Sequence, residues 1–177
     1  MNRLNIQSAI VMMLGMILIA YGLTSSAITG MVTGTTSVTV LSASSISMVT
    51  STVAFGDMAI NTWNDTADDK PAPFKVRNDG TINLNVSINA SDLWTTSANP
   101  SGNYTAMCGD TGEWSCSAGS ITTYTEVTDD VTNTVFISDL SWLDTEDEAE
   151  LDVNITCPPE ETSGSRSSTI TFTGSAA

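Results

Sequence analysis

Apolar and polar residues alternate with a period of two along most of this chain. In the stretch Ile82, Leu84, Val86, Ile88 and Ala90, every second residue is apolar, and Asn83, Asn85, Ser87 and Asn89 sit between them. The pattern returns at Ala149, Leu151, Val153, Ile155 and Cys157, interleaved with Glu150, Asp152, Asn154 and Thr156. Shorter runs pair Val53 with Phe55, Phe74 with Val76, Val135 with Ile137 and Ile170 with Phe172. A period of two puts the apolar set on one face of a strand and the polar set on the other. Each strand is therefore expected to have one buried and one wet face, as in the antiparallel sheets of a sandwich. Turn signals separate the runs: Asn78-Asp79-Gly80, Asn99-Pro100-Ser101-Gly102, Pro158-Pro159 and Ser163-Gly164. The expected fold is all-β, a β-sandwich of jelly-roll type with about seven to nine strands. Residues 95–120 read as the longest irregular stretch, a surface loop.

The one long apolar run lies at the start. Arg3 and the amino terminus form a weak positive region ahead of Ala9 to Leu23. That run falls short of the about 20 residues a membrane span needs, and has the length of a signal-peptide core. Ser25-Ser26-Ala27 supplies small residues for cleavage after Ala27. Residues 1–27 are thus read as a signal peptide or, alternatively, an uncleaved anchor, and the membrane enters only through this segment. Gln7-Ser8-Ala9-Ile10 has a faint likeness to a type IV pilin start. The residues after Gly22 form helices poorly, which argues against that reading.

Composition narrows the function. Lys and Arg total 5 against 20 Asp and Glu, a formal charge of −15, and histidine is absent. Such a surface repels phosphate backbones, so nucleic acid is not an expected partner. Without histidine there is no Ser-His-Asp or Cys-His arrangement and no HExxH zinc site. No P-loop or dinucleotide fingerprint is present, and no cofactor, metal site or catalytic residue is expected. The acidic run Asp144, Glu146, Asp147, Glu148 and Glu150 lacks the glycine turn and oxygen spacing of a calcium loop, and reads as a solvated turn. Trp63, Trp94, Trp114 and Trp142 are the candidates for a sugar platform, with core or loop-pinning roles favoured for each. Cys108 and Cys116 bracket a short Gly-containing loop and are expected to bridge outside the cell. Cys157 falls on the apolar phase of its strand and reads as a buried thiol. Glycosylation sequons stand at Asn64, Asn85, Asn89, Asn103 and Asn154. Asn85, Asn89 and Asn154 lie on the wet phase, and Asn64 and Asn103 in turn-like stretches.

Several segments, taken in order, are similar to one family of fibre proteins. They are Val53-Ala54-Phe55-Gly56, Asn64-Asp65-Thr66, Pro73-Phe74-Lys75-Val76-Arg77-Asn78-Asp79-Gly80 and the alternating 82–90 strand. The tail resembles it too, through Asp147-Glu148-Ala149-Glu150, Val153-Asn154-Ile155-Thr156, Pro158-Pro159 and Ser167 to Thr173. The family comprises camelysin-type bacterial biofilm-matrix fibre proteins and archaeal bundling pilins. The likeness spans most of residues 38–175 and consists of strand and turn residues. It implies an exported jelly roll whose subunits join by donating a strand to a neighbour. The camelysin branch has been called a metalloprotease, a label the histidine-free sequence does not support.

Residues 28–41 supply the expected donor. Ile28, Gly30, Val32, Gly34, Val38 and Val40 share one phase, and the other is nearly all polar. Glycines there let a strand pass close to an acceptor backbone. A Ser/Thr-rich spacer is the alternative for this segment. The division is then 1–27 signal, 28–41 donor strand and 42–177 sandwich domain. The expected function is an extracellular filament subunit whose partners are identical copies, with neighbouring filaments as further contacts. A monomeric adhesin or carbohydrate-binding surface module is the alternative.

Overall fold

The computed structural model describes residues 37–112, 116–129 and 134–177. Residues 1–27, read above as a signal peptide or anchor, the expected donor positions Ile28, Gly30, Val32 and Gly34, and Trp114 lie outside the described residues. Nearly everything described belongs to one compact unit, Val40–Ala177. Among the described residues nine strands follow one another: β1 (Ile46–Thr50), β2 (Trp63–Asp65), β3 (Phe74–Asn78), β4 (Leu84–Ala90), β5 (Tyr104–Gly109), β6 (Thr125–Glu126), β7 (Val135–Leu140), β8 (Glu148–Thr156) and β9 (Ile170–Ala176). One sheet has the order β1-β3-β8-β5-β6, with β2 also paired to β8, and the other has the order β7-β4-β9. All pairings between these strands are antiparallel. The protein is all-β, with two sheets arranged as a β-sandwich.

The two clearest alternating runs form the sheet centres. On β4, Leu84, Val86, Ile88 and Ala90 are buried, and on β8 so are Ala149, Leu151, Val153 and Ile155. Their apolar phases meet in two core clusters, joined by Phe136, Val127 and Ala106 in one and by Ile137, Leu140 and Cys108 in the other. A central strand shields its inward phase from water along its whole length, so its pattern is the most regular.

Four expectations about strands and their faces fail. Residues 95–120 are not one loop: β5 lies inside them, paired along its length with β8. Tyr104, Ala106 and Cys108 form its buried phase, too short a run to stand out among Thr and Gly. Val53 and Phe55 carry no strand. On β7, Phe136 and Ile137 are both buried because the β4–β7 register shifts. Finally, the polar phase is not uniformly wet, since Ser87 and Asp152 are buried. Over Asp152 lies Thr66, whose hydroxyl donates to Asp152 Oδ1 at 2.8 Å and accepts from the Val153 amide at 2.9 Å.

The turn after β3 is held by one side chain. Asn78 is buried, accepts from the Gly80 amide at 2.9 Å, and donates from Nδ2 to the carbonyls of Ile82 and Leu140. The acidic run divides: residues 144–147 turn, while Glu148 and Glu150 enter β8 opposite Arg77 and Lys75. Lys75 meets Glu150 at 3.1 Å and Arg77 Nε donates to Glu148 at 3.0 Å. Pairs this close to water are screened by it, so they fix register more than stability. Cys108 and Cys116 form the expected disulfide, with Cα atoms 6.1 Å apart. Closing so short a loop contributes about 2–3 kcal/mol on the chain-entropy account.

The strand directions define two poles. β8 runs from Glu148 at the first to Thr156 at the second, a span of about 30 Å for its nine residues. The chain enters at the first pole. There Thr81 donates its amide to Ala43 and its hydroxyl to Leu41, and Asp79 donates its amide to Ser45. A Cβ on Gly80 would collide with the Ala43 carbonyl, so glycine permits this close entry.

Candidate functional site

A groove of about 1200 Å³ opens at the second pole. Its floor is apolar: Phe74, Trp94, Tyr104, Ile155 and Cys157 come from different strands and loops of the sandwich. One wall is residues 51–58, which follow the edge strand β1, and the other is residues 161–170, which lead into the edge strand β9. The two edges close together at the first pole, where a Cβ on Gly174 would sit 2.5 Å from the Ile46 side chain. They part toward the second pole because β1 stops at Thr50 and β9 begins at Ile170. Ile170 and Phe172 sit over the core and yet are only half-buried. Their cover is incomplete.

The 161–170 wall is pinned at both ends. The Glu161 carboxylate is buried and accepts from Thr95 N (3.1 Å), Thr95 Oγ1 (2.5 Å), Thr96 N (3.1 Å), Thr96 Oγ1 (2.8 Å) and Arg166 Nε (2.6 Å). At the other end Ser168 Oγ donates to the Ser91 carbonyl at 2.6 Å, and Thr169 N donates to Ser91 Oγ at 3.0 Å. The Tyr104 hydroxyl also meets Ser168, while burial pushes its phenol upward. Glu161 carries no mark in the sequence, and Asn99, which reads there only as part of a turn, donates its side-chain amide to the carbonyls of Ala90 and Ser91 beneath this region. The Glu160-Glu161 pair after Pro158-Pro159 carries no local signal of the four donors that reach Glu161 from Thr95 and Thr96, 65 residues and more away.

Titration of this region is predicted to have two opposed limbs. The Thr95 and Thr96 donors and Arg166 hold Glu161 down to about 2, well below the usual glutamate range. A carboxylate lowered on folding binds fewer protons folded than unfolded, so its contribution is present above about pH 4.5 and is lost as pH falls toward 2. Burial instead pushes Asp152, Glu150 and Asp147 upward, so protonating these three favours the folded state as pH drops through their raised values. Thermal melts should therefore rise modestly on mild acidification from neutral pH and fall steeply below pH 4.5. Glu161→Gln should remove the steep limb while keeping the rise.

The sequence-marked residues distribute unevenly about this groove. Cys157 is buried, as expected, and lines the floor. Val38, Val40 and Leu41 are exposed by 86%, 77% and 78%, and residues 37–45 carry no strand. Trp94 lines the groove with its indole donating to the Asn103 carbonyl, whereas Trp63 and Trp142 are exposed at opposite poles. The described tryptophans form no common platform. Asn64, Asn85, Asn89, Asn103 and Asn154 are all half-buried. Asn64 lies in β2 and not in a turn. Asn85 Oδ1 accepts from Ser138 Oγ and the Asp139 amide. The hydroxyl residues of these sequons have structural work of their own, for Thr66, Ser87 and Thr105 are buried.

Tyr124 lies near Asp65 and Asp152, and burial with their charges pushes its phenol upward. No group of three or more His, Cys, Asp or Glu able to hold a metal occurs among the described residues. No family model, curated protein or solved structure matches the chain.

Proposed function

We propose that this chain is a structural subunit of an extracellular filament, polymerising head-to-tail by donating residues 28–41 to the groove of the next subunit. The observation that carries the reading is polarity: the chain enters the sandwich at one pole, and the apolar groove opens at the other. Residues 28–41, extended at about 3.3 Å each, reach roughly 45 Å, longer than the span of β8. The exposed Val38, Val40 and Leu41 supply apolar side chains without cover, and the groove supplies an apolar floor without a strand. Donor and acceptor are different surfaces, so the contact does not close on itself and propagates as a fibre. The sandwich is of jelly-roll type in this reading, because from β3 to β9 the chain repeatedly crosses between sheets. Export behind residues 1–27 accords with the Cys108–Cys116 bridge. The reading calls for no catalytic group and no cofactor.

Cys157 makes the test direct, since it is the free thiol among the described residues and lies on the groove floor. Single cysteines at Ile28, Val32, Val38 and Val40 should include at least one that oxidises onto Cys157 of another subunit. Non-reducing electrophoresis would then show a ladder of covalent oligomers, absent from the same variant carrying Cys157→Ser. A cross-linked band at monomer mass would instead mean that the segment folds back on its own domain. Discrete monomers that retain a bound glycan, with no ladder from any position, would favour the adhesin reading.

A further inference from the structure

The geometry points to a specific acceptor edge within the groove: we infer that the free backbone groups of Ser168, Ile170 and Phe172 receive the donated strand, held in register by the Glu161–Arg166 clamp. The inference rests on the donor-strand reading and adds to it which wall is the template. Among the described residues β9 pairs only with β4, on one side. Backbone groups of an antiparallel strand alternate between its two neighbours. Ser91 N donates to the Thr169 carbonyl and Ala177 N to the Asn83 carbonyl, so the odd-numbered residues 169 to 177 face the β4 side. The even-numbered residues 168, 170 and 172 therefore turn their amides and carbonyls to the open edge. Residue 174 shares this phase, but Ile46 crowds it.

The strand phase extends upstream of β9 itself. Side-chain burial alternates from Arg166 through Gly174, half-buried at every even position and exposed at every odd one. Residues 166–169 thus already have the two-residue period of a strand, although the strand begins only at Ile170. Glu161 explains how. Its carboxylate grips Arg166 and the Thr95–Thr96 backbone together, and Ser91 holds Ser168 and Thr169. A preset edge lowers the ordering cost of taking up a strand. The facing wall lacks such support. Among the described residues no side-chain or loop hydrogen bond reaches residues 51–58, which keep their place by packing Phe55 and Met58 on the core. That wall is the lip and not the template.

Amide hydrogen exchange tests this on the mature chain carrying Val32→Asp and Val38→Asp, whose own donor is disabled. A synthetic peptide of residues 28–41 is added in excess. The expected result is new protection at the amides of Ser168, Ile170 and Phe172, with Thr169, Thr171 and Thr173 already protected before the peptide arrives. Glu161→Gln in that background should weaken peptide affinity by roughly tenfold, about the loss of one well-formed charge-assisted contact. Glu146→Gln at the opposite pole serves as the charge-matched control and should bind like the parent. Peptide binding that protects residues 51–58 and leaves 168, 170 and 172 exchanging would overturn the template assignment while keeping strand donation. So would unchanged affinity in Glu161→Gln. Failure of the peptide to bind the parent at all would overturn strand donation, and this inference with it.

Discussion

A chain that starts at Ser42, exported behind a foreign leader, is expected to accumulate as soluble monomers and to form no filaments. Among the described residues all nine strands and both core clusters lie within residues 46–177, so of these the truncation removes no strand and no core side chain, only the Thr81 hydroxyl's bond to the Leu41 carbonyl. What it removes is the segment whose described apolar members, Val38, Val40 and Leu41, are all exposed. The groove then stays open at the second pole with its β9 edge unpaired. Unpaired edges invite association, so the truncated domain should bind a synthetic peptide of residues 28–41 supplied in solution. At a hundredfold excess over its dissociation constant, such a peptide stabilises the fold by about 2.7 kcal/mol. For a domain of this size that corresponds to a rise of roughly 5–10 °C in Tm. Electron microscopy of secreted material reads the first outcome, and a melt with and without peptide reads the second. Filaments from the truncated chain would exclude residues 28–41 as the donor.

The second large effect concerns the faces of the central strands. Leu84→Asn in β4 and Val153→Asn in β8 should each abolish secretion or leave a protein that melts far below the parent. Both side chains are fully enclosed, one in each sheet. A buried unpartnered amide costs about 1–3 kcal/mol, and the lost apolar burial about 2 kcal/mol more. Domains of this kind hold a margin of about 5–15 kcal/mol, so one substitution takes up much of it. Thr171→Asn, on the exposed phase of β9, is the control and should secrete and melt like the parent. Normal secretion of both core variants would reverse the assignment of faces.

Much of this architecture is legible along the chain. The period-two runs at 82–90 and 149–157 mark β4 and β8, and their apolar phases form the core. The Asn78-Asp79-Gly80 signal marks a real turn, and the two cysteines that bracket a short loop are the two that bridge. β5 was missed because its buried phase spans only Tyr104, Ala106 and Cys108 among small residues. It is a strand because β8 stands beside it. Asp152 was placed in water by its phase and is buried because Thr66, 86 residues away, closes over it.

The amino-acid sequence alone reveals the buried faces of β4 and β8, the main turns, the all-β class and the lack of any histidine. These follow from local alternation and composition, which register whether a face meets water without naming what covers it. The strand order, the burial of Asp152 and Ser87, the gathering of the Thr95 and Thr96 donors onto Glu161, and the groove between β1 and β9 emerge in the folded chain alone. Each of these is a meeting of residues far apart in the chain. The groove in particular arises where two edge strands stop short of the same pole, a property of how the sheets stack and of no single segment's pattern.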